Sequence, residues 1–230
     1  MLQVFMPLKS LSRVLTEARE INKLVRLTII MVFVAALSAC SLSQSNDPPP
    51  KKPEDICLIF EEKTEWHTAA QEMQKRWGTP IYVAMAMMYQ ESSFRQYARP
   101  PKRYALGFIP MGRASSAYGF SQVKDETWAD YQHETSSPFA SRTNFADAID
   151  FMGWFTKKTQ KLNGVALSDT YNQYLNYHEG WGGFRKGSYK AKAWLPPVAR
   201  KVEARGLRYS NQYAQCEASL VKEKDNDSWW

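Results

Sequence analysis

Between residues 56 and 216 the sequence holds no sustained alternation of apolar and polar residues, and this absence argues against a sheet-based core. Apolar residues recur instead at helical spacing. Residues 56–77 form an amphipathic stretch that stops at Gly78, and Thr79 with Pro80 makes an N-cap and first-turn pair opening a helix through Glu91. Residues 95–120 hold Pro100, Pro101, Gly107, Pro110 and Gly112, which predicts a long loop. Asp125 is placed to cap a short helix through Trp128 and Tyr131. Asn144 starts the longest helix, with Phe145, Ala148, Ile149, Met152 and Phe155 on one stripe and Gly164 as its stop. Ser168 caps the next helix, to Gly180, and Pro196 and Pro197 lead into a last one reaching about Tyr209. No internal repeat interrupts this order, so 56–216 is expected to be one mainly α domain, and the charged stretch 217–230 a flexible tail.

The N-terminus has a different fate. Five basic residues (Lys9, Arg13, Arg19, Lys23, Arg26) and two acidic ones (Glu17, Glu20) precede an uncharged run over 27–36, closed by Leu37-Ser38-Ala39-Cys40. That order is an export signal over 1–39, since a spanning helix needs about 20 apolar residues. Leu37-Ser38-Ala39-Cys40 also resembles the bacterial lipobox, which implies a lipidated Cys40 as the mature N-terminus. A plain cleaved signal or a buried apolar helix is the alternative. Ser41, where aspartate would signal retention, implies anchoring in the outer membrane, on its periplasmic face. Residues 40–55, with Pro48, Pro49, Pro50 and Pro53, read as a lipidated spacer that cannot build a core.

Loss of residues 1–39 lowers the net charge from +7 to +4, because that segment carries the five cations and two anions just named. The mature chain is only mildly basic, and export argues against nucleic acid as a partner. With Cys40 assigned to lipid, Cys57 and Cys216 remain in an oxidising compartment, either as a disulfide or as two separate buried thiols.

Helix 80–91 is apolar nearly all round, and its last turn delivers Glu91 onto the stripe of Val83, Ala84, Met87 and Met88. Apolar surroundings and the negative end of the helix dipole both disfavour a charged carboxylate, so its pKa should rise. A general acid working near neutral pH needs that shift. The alternative is a structural role, in which Glu91 caps its helix or pairs with Arg95.

Glu91-Ser92-Ser93-Phe94 resembles the Glu-Ser-x-Phe opening of the soluble lytic transglycosylase family, relatives of goose-type lysozyme. Ala117-Tyr118-Gly119-Phe120-Ser121-Gln122-Val123, with Thr127 beyond, is similar to that family's second motif, and Tyr177-His178-Glu179-Gly180 to its Tyr-Asn-x-Gly motif. Trp194-Leu195-Pro196-Pro197-Val198 occupies the place of the closing helix. The resemblance implies a lysozyme-like fold with a glycan cleft. It also implies cleavage of the β-1,4 bond between N-acetylmuramic acid and N-acetylglucosamine, with Glu91 as acid and then base and a 1,6-anhydro ring as product. Supporting roles carry over to Ser92, Gln122 and Tyr177.

Where the motifs depart from the family pattern, other roles arise. Glu91 and Gln122 lie 31 positions apart, more than the family's usual spacing, so the loop over 99–116 looks like an insertion. Arg113 stands where a serine is usual, with Ser115 or Ser116 as substitutes. Ser121 replaces methionine and His178 replaces asparagine. His178 is either a second titrating group or a satisfied hydrogen-bonding side chain. Glu179, as a second carboxylate activating water, would make the enzyme a hydrolytic muramidase. A peptidoglycan-binding lipoprotein without turnover is the other alternative. Tyr118, Phe120, Trp181 and Phe184 are candidates to line the cleft, while Trp128, Trp154 and Trp194 are expected in the core. No metal-binding spacing occurs, so neither metal nor cofactor is expected.

Overall fold

The computed structural model describes residues 46–227, with side chains through Leu220, and the isolated Arg26. The expected signal over 1–39 otherwise lies outside the described residues, as do Cys40, Ser41 and the terminal Trp229 and Trp230. Among the described residues from 46 onward seven α-helices follow in order: α1 (Ile56–Glu62), α2 (Thr64–Trp77), α3 (Ile81–Ser92), α4 (Asp125–Glu134), α5 (Phe145–Asn163), α6 (Thr170–Arg185) and α7 (Leu195–Asp227). A hairpin of β1 (Lys102–Ala105) and β2 (Ile109–Arg113) separates α3 from α4.

The core is built around α3. Ile81 and Val83 through Met88 are buried without interruption, so this helix has no polar face and must be enclosed. Helices α2, α5, α6 and α7 pack against it. A second, mainly aromatic cluster joins Trp128, Tyr131, Phe151, Trp154 and Phe155 between α4 and α5. Its polar atoms are satisfied internally: Tyr131 Oη and Trp77 Nε1 both donate to Asp150, each at 2.8 Å.

Several boundaries differ from the sequence reading. The first stretch breaks at Lys63, whose backbone leaves the helical region, so α1 and α2 are separate. Thr79 does not cap α3; its hydroxyl is buried against that of Thr156 at 2.6 Å. Asp169, rather than Ser168, caps α6 by accepting from the Asn172 N–H. Helix α7 runs far beyond Tyr209, because Tyr209, Tyr213, Cys216 and Leu220 extend its inward stripe, and the expected tail is helical to Asp227.

The described part of the proline-rich spacer is docked. Asp47 accepts from Lys63 Nζ and from Trp66 Nε1 (2.9 Å), its N–H reaches Gln96 Oε1 (2.8 Å), and Pro50 is buried. Glu54 pairs with Arg205 and Arg208 of α7. Cys57 and Cys216 are joined as a disulfide across 159 residues, tying α1 to α7. In the chain-entropy description a closure of this length contributes about 5 kcal/mol.

Candidate active site

Glu91 stands in the last turn of α3, where the buried helix meets a cleft. Ser93 caps that turn in the left-handed region (φ 52°), and Phe94 follows at φ 58°. Two such residues in succession cost about 1 kcal/mol each. Phe94 is nevertheless held there, fully buried between Trp66 and Tyr89. Ser92 is buried and donates to the Met88 carbonyl at 3.3 Å, so its supporting role is to secure the helix end. Arg95 directs its Nε to the Ser92 carbonyl (2.9 Å), not to Glu91.

The cleft has a volume of about 440 Å³, and Glu91, Gln122, Thr127, Tyr177, His178 and Glu179 are among its lining residues. Desolvation raises the Glu91 carboxyl to about 7, and a hydrogen bond donated by Tyr174 restrains the rise. Tyr177, half-buried beside it, donates to the Ser121 carbonyl, and desolvation pushes its own phenol well above the ordinary value.

Glu179 has the opposite environment. Burial alone would raise its carboxyl, but Lys192 (2.6 Å), Ser188 and His178 (2.9 Å) bind it and together bring it down to about 2. His178 is thus a hydrogen-bonding partner of Glu179, and its ring meets Trp194 edge-on at 5.0 Å.

The motif glycines shape the walls. Gly119 has φ 75°, and a Cβ there would lie 2.0 Å from the Arg142 carbonyl oxygen, so only glycine allows the second motif to press against that strand of backbone. Gly180 (φ 73°) kinks α6 directly after Glu179. Gln122 lines the cleft, yet its amide donates to Ala98 (2.8 Å) and Gly119 (2.9 Å), which makes it a brace of the motif loop. Ser116 Oγ accepts from the Asp125 N–H (3.1 Å), and Ser115 Oγ from the Ala117 N–H.

Four aromatic residues stand elsewhere than the motifs imply. Phe120 is fully buried against Trp66 and Phe145 and does not line the cleft, because the close approach at Gly119 turns the next residue inward. Trp194, expected in the core, is 54% exposed at the start of α7 beside His178. Phe184 stacks on Tyr189 away from the cleft. Tyr118 also lies outside the cleft lining, under the Arg99 guanidinium at 3.8 Å. Trp181 does line it, stacked on Phe155. Trp128 and Trp154 are in the core.

Tyr174, Lys192 and Ser188 were not legible as site residues from the motifs. Tyr174 alone carried a signal, lying three positions before Tyr177 and thus on the same helical face. Among the described residues no group of three or more His, Cys, Asp or Glu side chains is gathered to hold a metal ion.

The transglycosylase SLT domain family matches residues 28–216, most of the chain. No curated protein and no solved structure matched it. With a family match of that extent, a mainly helical lysozyme-like fold and a buried glutamate opening onto a cleft, the chain belongs to the transglycosylase SLT domain family.

Proposed function

We propose that the protein is a peptidoglycan lytic transglycosylase cleaving the β-1,4 bond between N-acetylmuramic acid and N-acetylglucosamine. The observation that carries this reading is the pair of environments in the cleft: Glu91 rises to about 7 while Glu179 is bound in ionised form by Lys192. Of the two carboxyls only Glu91 holds a proton to give near neutral pH.

In the proposed reaction Glu91 donates its proton to the glycosidic oxygen as the C1–O bond breaks. The N-acetyl oxygen of the muramic acid meets the positive charge at C1, so no second protein carboxylate is needed. Glu91, now a carboxylate, takes the proton of the C6 hydroxyl while O6 attacks C1. The ring closes as a 1,6-anhydro sugar, Glu91 is protonated again, and no water is consumed. Tyr174 and Tyr177 hold and desolvate the carboxyl through both steps. A hydrolytic route through Glu179 would ask a carboxylate already bound by three donors to activate water, and its low pKa makes it a weak base.

By the same reading the mature chain is anchored through lipidated Cys40 to the periplasmic face of the outer membrane. The family match begins at residue 28, so Cys40 and all but the first residue of the apolar run fall inside it. Isolated sacculi treated with the chain from Asn46 onward should release muropeptides ending in 1,6-anhydromuramic acid, read by mass spectrometry. Reducing ends alone would make the protein a hydrolase, and binding without soluble product would make it a non-catalytic wall protein.

A further inference from the structure

The hairpin between α3 and α4 contributes no residue to the cleft lining. Both of its strands are exposed, Ala105 excepted. Its apolar side chains are nevertheless large: Leu106 is 81% exposed, Phe108 73% and Met111 62%, with Tyr104 and Ile109 beside them. Leu106 and Phe108 sit in the turn between the strands, where Leu106 adopts a left-handed backbone (φ 51°) beside Gly107. Water is a poor solvent for such a tip.

Charge accompanies it. No acidic residue occurs between Glu91 and Asp125, while Arg95, Arg99, Lys102, Arg103 and Arg113 cluster toward the base of the hairpin. A shallow cavity of about 490 Å³ at that base is lined by Asn46, Asp47, Arg95, Arg99 and Arg113. The first docked residues of the chain therefore meet the basic base of the hairpin. Cys40 lies six residues before Asn46, a reach of at most about 20 Å.

We propose that this hairpin seats the protein on the membrane that holds its anchor, with Leu106 and Phe108 entering the interface and Lys102, Arg103 and Arg113 meeting anionic phospholipid headgroups. The inference rests on the lipid-anchor reading for its choice of partner. An apolar tip above a basic collar is the pattern of an interfacial element. The short reach from Cys40 and the absence of the hairpin from the cleft favour a bilayer over a glycan strand. Seated in this way, the domain has a fixed orientation to the wall instead of free rotation on its tether.

The described residues from Asn46 onward form a compact unit, so the unlipidated chain from Asn46 keeps the contacts described above. That chain should co-sediment with phosphatidylethanolamine–phosphatidylglycerol vesicles, bind pure phosphatidylcholine vesicles far less, and release with salt. Leu106→Asp with Phe108→Asp should weaken vesicle binding at least about tenfold, and Lys102→Glu with Arg103→Glu should do the same. Turnover of soluble glycan fragments should be unchanged in both, which also shows that the variants fold. The proposal is overturned if the unaltered chain ignores anionic vesicles, or if both variants bind them as well as it does. It is equally overturned if the variants lose sacculus binding and keep vesicle binding, or if their only change is loss of a dimer. Mass spectrometry of the Cys40 peptide from cells separates the two readings. Lipid on Cys40 without vesicle binding sinks the hairpin inference alone, and vesicle binding without lipid sinks the anchor alone.

Discussion

Glu91 and Glu179 open onto one cleft and differ in nearly everything else. Glu91 ends a helix with no polar face and has a single neutral donor, Tyr174; Glu179 sits just before the Gly180 kink, where Lys192, Ser188 and His178 converge. Both are withdrawn from water, so burial alone does not separate them. The difference lies in what replaces the water. A neutral hydroxyl leaves Glu91 protonated to about pH 7, whereas an ammonium and two further donors keep Glu179 ionised. The comparison teaches that in a two-carboxylate cleft the partner, more than the depth, assigns the role.

Neutralising each carboxyl in turn separates the two roles. Glu91→Gln should reduce release of muropeptides at least about 10³-fold, because the remaining cleft carboxyl, Glu179, is ionised and has no proton to give. The same variant should gain stability in alkaline solution. Glu91 has a folded pKa of about 7 against an ordinary 4.5, so it disfavours folding once ionised. That stability is complete below pH 4.5 and is lost as pH rises through 7, which makes the variant more stable above pH 8 by ~3 kcal/mol in urea unfolding. Activity of the unaltered protein should fall about tenfold per pH unit beyond 7 for the same reason.

Glu179→Gln should have a smaller effect on turnover, about tenfold, and leave the anhydro product unchanged. It should also remove a pH window of opposite sign. Glu179, lowered from 4.5 to about 2, contributes stability that is present above pH 4.5 and lost as pH falls toward 2. Acid unfolding of the variant should lack that component. The smallest effect belongs to Tyr174→Phe. Removing the donor that favours ionised Glu91 should move the alkaline limb of the activity profile to higher pH, with a loss of activity of only a few-fold.

What the sequence made legible follows from how local each signal is. Asn144 and Gly164 bound α5 as expected, because caps act within one turn. Glu91 was found by its place on an apolar helix, and the structure supplies the raised pKa that this place implies. Phe120 departs from expectation because Gln122, two positions on, lines the cleft, while the direction of Phe120 depends on Arg142, over 20 residues away, closing on Gly119. Trp194 was misplaced for the converse reason: an aromatic residue reads as core until a kinked helix brings His178 beside it. The hairpin escaped notice because its exposed strands have no buried face to impose alternation, and its turn uses Leu106 where glycine would be the expected signal. The partners of Glu179 could not be read at all, since Lys192 and Ser188 reach it only after Gly180 turns the chain.

One cleft thus holds a protonated Glu91 and an ionised Glu179 at the same neutral pH. Carboxyl-carbon NMR of the chain labelled at glutamate, titrated between acid and mildly alkaline pH with Glu91→Gln and Glu179→Gln for assignment, measures both groups directly. The resonance lost in Glu91→Gln should titrate near 7, and the one lost in Glu179→Gln should stay ionised down to about 2. A Glu91 resonance titrating at an ordinary carboxylate value, or a Glu179 resonance that is the raised one, would contradict it.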